Sequence, residues 1–183
     1  MPNAHKHSNN SVEDTVRVEA FTDGVFAIVA TLLVLELRVP VLEVVTTGGL
    51  LHGLAELLPE FVAFFFSFFV IAIYWVNHHH FFHNVARADW KLLWYNNFHL
   101  FCMATISFTT AFIGKYYDSA VAVSLYAADM AMCALSIMLM IRYVFFQSDL
   151  MEPGFSQAKK KSEYRHYILK SDSKTGEIVK YKQ

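Results

Sequence analysis

The sequence predicts an all-α membrane protein, a bundle of about four transmembrane helices. Three observations carry that prediction. The 183-residue chain is 55% hydrophobic and only 17% charged. Its charge is uneven: Arg17 to Phe146 holds six Lys/Arg and nine Asp/Glu in 130 residues, against eight and five in the 37 residues from Gln147 to Gln183. A soluble surface needs far more charge than that middle region supplies. Four apolar stretches also reach the roughly 20 residues that cross a bilayer. Lipid offers no partner for a free backbone N–H or C=O, so each stretch is expected to be a helix.

Met1 to Val16 is polar and reads as a disordered segment or a short cap, without the basic start, apolar centre and cleavage site of a signal peptide. The transmembrane domain covers residues 17–146, with spans at about 17–38, 51–76, 92–114 and 119–146. Val39-Pro40 and Thr46-Thr47-Gly48-Gly49 separate the first two spans, and Lys115-Tyr116-Tyr117-Asp118 makes a short turn between the last two. Residues 147–183 form a hydrophilic tail with no sign of a catalytic domain. If the spans alternate, Arg17, Arg87, Lys91, Arg142 and Lys159-Lys160-Lys161 share one side, and Arg38 and Lys115 the other. The positive-inside rule then places both termini in the cytoplasm, and Trp75, Trp90, Trp94, Tyr116, Tyr117 and Tyr143 suit interfacial belts. A net charge of −1 without a basic face argues against nucleic acid as a partner. Cys102 and Cys133 lie in apolar stretches, which argues against a disulfide scaffold.

The first span is the most informative. It opens with Arg17, Glu19 and Asp23, and an ionisable group inside a membrane boundary is a functional candidate by default. The plainer role for Arg17 and Asp23 is to staple the bundle through polar groups on neighbouring helices. Further along, Ile28, Thr31 and Leu35 are spaced i, i+3, i+7 and share one stripe. Several copies of this helix around an axis would make an isoleucine ring, a hydroxyl ring and a leucine ring. Apolar rings gate by dewetting, and a hydroxyl ring replaces part of an ion's water shell. Against this, every membrane helix has an apolar stripe, and a threonine often bonds its own backbone.

Arg17-x-x-x-Phe21-Thr22-Asp23 resembles the Arg-x-x-x-Phe-Ser/Thr-Asp signature of the endosomal/lysosomal potassium channel family, in its short prokaryotic branch. The likeness continues through Gly24-Val25-Phe26-Ala27-Ile28, Ala30-Thr31-Leu32-Leu33 and Val39-Pro40. Tyr74-Trp75-Val76-Asn77-His78-His79 is similar to the family's Trp-x-Asn-His segment, and Leu93 to Asn97 and Thr109 to Gly114 match more loosely. The resemblance implies a homotetrameric, potassium-favouring cation channel of a bacterial cell membrane, with the first helix lining a central pore and no carbonyl-loop filter. No Thr-Val-Gly-Tyr-Gly loop occurs in the chain. It implies Ile28 as the apolar constriction, Thr31 as the hydroxyl layer and Leu35 as the next apolar ring. Arg17, Phe21, Thr22 and Asp23 are then the motif that fixes the first helix, with Trp75, Asn77 and His78 as its partners. Monovalent cations and the bilayer are the expected partners, potassium is the permeant species, and no cofactor is expected. Two departures stand out: four spans where the family usually has six, and Ser107 where it commonly has a proline.

Other residues open other readings. His78-His79-His80 and His83 make a histidine-rich end to the second span, and His79 and His83 are i, i+4, a spacing that binds zinc, with Asp89 as a further ligand. Histidines that cap or bond neighbouring helices are commoner, and proton sensing is a third role for the cluster. His99, inside the third span, raises a haem-binding subunit, which needs a second axial histidine at matching depth. Asp129 suits an interhelical hydrogen bond to Asn, Ser or Thr, and with Asp23 it raises a proton-coupled carrier, although carriers usually show paired repeats. No catalytic triad or phosphate loop is present, so an enzyme is not expected. Phe64 to Phe66 and Phe68-Phe69 read as lipid-facing or packing bulk.

Overall fold

The computed structural model describes residues 4–151, with side chains from Thr15 onward. Its elements are α1 (Ala4–Leu32), a 3-10 turn (Leu33–Glu36), α2 (Thr47–Glu56), α3 (Leu58–Phe82), α4 (Trp90–Lys115) and α5 (Ala120–Phe146). Four stretches are long and apolar enough to cross a membrane: Thr15–Glu36, Leu58–Phe82, Trp90–Lys115 and Ala120–Phe146. The chain is an integral, multi-pass, all-helical membrane protein. Among the described residues the one β pairing is an isolated bridge between Val85 and Met151.

Three boundaries differ from the sequence expectation. The first helix starts at Ala4, so most of the polar segment expected as disorder or a cap is helical. Between Ala4 and Asp23 no proline or glycine interrupts propagation. The second membrane helix starts at Leu58 and ends at Phe82, later at both ends than the span expected at 51–76. Pro59 stands in its first turn, where a missing N–H costs nothing. The apolar residues ahead of it belong to α2 instead, a separate helix capped by Thr46, whose hydroxyl accepts from Gly49 N at 3.1 Å. The threonine-glycine stretch expected as a linker therefore begins a helix. α4 runs unbroken through Ser107, the position of the family's proline. Of the expected tail, residues 152–183, with Lys159-Lys160-Lys161, lie outside the described residues.

α4 is the centre of the bundle, packed between α3 and α5 and touched by α1. Its contact with α3 is tight at Gly114, where an added Cβ would stand 3.1 Å from Glu60 Cα. Two apolar clusters fill the interior. One gathers Phe26, Val29, Leu33, Ile71, Met103, Ile106 and Cys133 at mid-span. The other gathers Val18, Phe81, Phe82, Leu92, Met140 and Val144 at the basic end, closed by Leu150 and Met151. Beyond α5 the chain folds back over the α3–α4 loop: Ala86 N donates to Leu150 O at 2.8 Å and Arg87 Nη2 to Asp149 O at 3.0 Å.

Candidate functional site

α1 presents two different faces. Val18, Thr22, Phe26, Val29 and Leu33 are buried, and their steps of four, four, three and four residues trace one stripe laid on α3 and α4. Ile28 and Leu35 stand on the opposite face, 57% and 69% exposed, with Gly24, Ala27 and Thr31 also exposed beside them. Leu35 falls in the 3-10 turn, so its direction departs from that of a continued α-helix. Thr31 Oγ1 donates to the carbonyls of Ala27 and Ile28, both at 2.9 Å. A hydroxyl has one hydrogen, so this bond leaves its oxygen lone pairs as the outward-facing group. Small residues let this face approach a neighbour or line a narrow passage. The outer face of α3 is unlike it, with Phe65, Phe66, Phe68 and Phe69 all exposed.

A polar network fixes how α1 is turned. Asn96 Nδ2 donates to Thr22 Oγ1 at 2.9 Å, and His78 Nε2 lies 2.8 Å from Asn96 Oδ1. Since that amide oxygen only accepts, Nε2 of His78 carries the hydrogen. All three side chains are buried, so each would be costly to leave without its partner. One residue further along α1, the Trp75 indole Nε1–H donates to Asp23 Oδ1 at 2.8 Å. Thr22, Asp23, Trp75 and His78 are thus brought together, directly or through Asn96. Arg17 and Phe21 are exposed instead, and Asn77 is half-buried. Asn96 is the member that motif spacing did not single out; the Asn96-Asn97 pair inside an apolar span was its signal.

The other polar groups are mostly occupied within the bundle. His99 Nδ1 donates to Ser136 Oγ at 2.8 Å, since that hydroxyl spends its own hydrogen on Cys133 O. The rings of His78 and His99 lie parallel with centres 6.1 Å apart, with Phe26 and Tyr74 packed alongside. Asp129 accepts from Thr105 Oγ1 and Thr109 Oγ1, both at 2.7 Å, which is an interhelical bond of the expected kind. Asp89 caps α4 through Leu92 N at 2.8 Å and also accepts from the Tyr143 hydroxyl. His79 and His83 are exposed at the end of α3. Among the described residues, no three His, Cys, Asp or Glu side chains converge on a metal-sized site.

Comparison with known proteins places this architecture. Residues 17–107 match the model of the family described as endosomal/lysosomal potassium channel TMEM175. A potassium channel of Chamaesiphon minutus is 44% identical over 117 residues, covering 62% of this chain and 58% of that protein. A potassium channel of Streptomyces collinus is 38% identical over 146 residues, covering 78% and 70%. The crystal structure of a lysosomal potassium-selective channel TMEM175 homologue from Chamaesiphon minutus superposes with a TM-score of 0.74 at 34% identity, over 86% of this chain and 80% of that one. With the motif helix, the membrane bundle and these likenesses in agreement, the chain belongs to the TMEM175 potassium channel family.

Proposed function

We propose that this chain is a subunit of a potassium-favouring cation channel, a homotetramer whose α1 helices line the central pore. Ile28 and Leu35 form apolar rings, and the Thr31 oxygens form a polar layer between them. Potassium is the permeant ion, and conduction needs no cofactor and no catalytic group. Both termini face the cytoplasm, and the membrane is that of a bacterial cell, as the sources of the channel relatives suggest.

The observation that carries this proposal is the division of α1: one face is bonded and packed into its own subunit, while the face with Ile28, Thr31 and Leu35 is left exposed by the described residues. Lipid-facing helices carry bulky apolar side chains, as α3 does, whereas Gly24, Ala27 and Thr31 give α1 a narrow profile. An isoleucine ring resists water entry, so ions pass when the ring widens and wets. The threonine lone pairs then meet a partly dehydrated cation.

Flux from liposomes tests the assignment. The chain should carry potassium in preference to sodium, and Ile28→Asn should raise the resting flux on the order of tenfold by wetting the constriction. Potassium-favouring flux that ignores substitution at Ile28 would remove the pore from α1. Absence of flux from a tetramer of correct mass would defeat the channel assignment itself.

A further inference from the structure

At the end of the bundle away from the basic residues, a two-turn stripe of α3 borders open space. Leu58, Val62, Ala63 and Phe66 follow one another at steps of four, one and three, so they share one side of the helix. Ile113 of α4, Tyr117 of the turn after it and Tyr126 of α5 complete a cavity of about 520 Å³. Pockets of about 300–1,000 Å³ hold small-molecule ligands. From Leu58 to Phe66 the stripe runs about 12 Å along the helix, within the roughly 15 Å of hydrocarbon that one leaflet supplies. The hydroxyls at the inner end of the cavity are spent on one another: Tyr126 Oη lies 3.0 Å from Ser67 Oγ, which accepts from Thr110 Oγ1 at 2.7 Å. What faces the cavity is hydrocarbon and ring surface, which suits an apolar guest. The other end opens at the α4–α5 turn, where Lys115 and Asp118 are both exposed. The Lys115 ammonium stands 5.8 Å from the centre of the Tyr116 ring. Lys115 and Asp118 are three residues apart, yet the one ion pair among the described residues joins His52 to Glu56, at 3.4 Å.

We propose that this cavity binds one phospholipid with a zwitterionic headgroup. One acyl chain lies between α3, α4 and α5, the lipid phosphate meets Lys115 and the lipid ammonium meets Asp118. The cavity walls belong to membrane-spanning stretches, where lipid chains are the solvent. Its long direction follows the helices, as a chain in a leaflet does. The paired charges at the mouth choose the headgroup: an anionic lipid satisfies Lys115 and leaves Asp118 against a like charge. The bound chain fills space between three helices and so stabilises this end of the bundle by mass action. The site lies apart from the free face of α1 and stands whether or not that face lines a pore.

Photolabelling of the full chain in mixed micelles tests the site. The probe is phosphatidylethanolamine with a diazirine on one acyl chain, and peptide mass spectrometry locates the adducts. They should gather on Leu58–Phe66 and on Ile113–Tyr126. An excess of about tenfold of unlabelled phosphatidylethanolamine should cut them several-fold, and the same excess of phosphatidylglycerol should compete far less. Leu135 and Phe146, on the open face of α5, should label without saturating. Ala63→Leu fills the cavity and should remove the adducts there. Lys115→Gln with Asp118→Asn changes exposed side chains only, and should keep the adducts while erasing the difference between the two lipids. Competition on the unaltered chain decides the matter even if Ala63→Leu does not fold. Labelling spread evenly over the exposed helix faces, with no competition by either lipid, would overturn the site. Cavity residues left unlabelled beside labelled neighbours, as when a second copy of the chain covers them, would overturn it too. Equal competition by both lipids would overturn the zwitterionic assignment.

Discussion

Single atoms set both the rotation of α1 and the polarity of its free face. Asn96 uses its two ends on two different helices, accepting from His78 and donating to Thr22. Replacing it with leucine leaves a buried imidazole N–H and a buried hydroxyl unpartnered. Each such group costs about 1–3 kcal/mol, so Asn96→Leu should lower the thermal unfolding midpoint by several degrees in detergent. Asn96→Asp retains an acceptor and should lose less than the leucine variant if its charge is neutralised, which the same melting measurement checks. Thr31→Val keeps the shape of the side chain and removes the oxygen. The exposed site makes the substitution nearly silent for folding, and the potassium-over-sodium flux ratio should fall by about threefold or more. An unchanged ratio would place selectivity elsewhere on the pore.

At the scale of elements, helix contacts in lipid depend on close fit, because lipid tails solvate apolar side chains as well as other helices do. The α3–α4 contact shows this at Gly114, whose added Cβ would meet Glu60 Cα at 3.1 Å and Glu60 Cγ at 3.2 Å. Backbone does not swing aside as a flexible side chain does. Gly114→Ala should therefore push the helices apart and cost about 1–3 kcal/mol, read as a lower midpoint in a detergent denaturation series. Gly24→Ala is the control, since a Cβ there meets nothing within 4 Å in the subunit. The same variant is informative in the tetramer: if the Gly24 face lines the pore or a subunit contact, it should change flux while the subunit's own stability holds. Asp129 ties α4 to α5 through two threonines at 2.7 Å, a structural bond that leaves its carboxylate engaged.

At the scale of the whole molecule, the chain after α5 closes the basic end. Leu150 and Met151 are buried against Phe81, Phe82, Leu92 and Val144, and two backbone donors of the α3–α4 loop share Leu150 O. Ending the chain after Gln147 removes that cover. Helix packing at this end should loosen, with faster proteolysis at the Arg87 loop and a loss of about 2 kcal/mol or more from the uncovered apolar cluster. Leu150→Ala alone should reproduce part of that loss. The proposed assembly has its own check: protein mass in detergent, corrected for bound detergent, should equal four chains of 21.0 kDa each.

Hydropathy and charge by themselves determined the class and the count of spans, because a bilayer imposes length and backbone satisfaction on any sequence that crosses it. The family resemblance, and not hydropathy, pointed to Arg17, Phe21, Thr22 and Asp23 with Trp75, Asn77 and His78, and of these the fold brings together Thr22, Asp23, Trp75 and His78. Helix ends were less legible: the apolar run from Leu50 continues past Glu56, and capping by Thr46 and the turn before Pro59 decide where one helix stops and the next begins. Exact pairings were less legible still. Which amide joins His78 to Thr22, and which carboxylate accepts from Trp75, depend on how α1, α3 and α4 align, and residues 52 or 74 positions apart meet only after packing. The tertiary structure alone decided which face of α1 its own subunit covers, because the buried and free stripes are both apolar and differ chiefly in what lies opposite them.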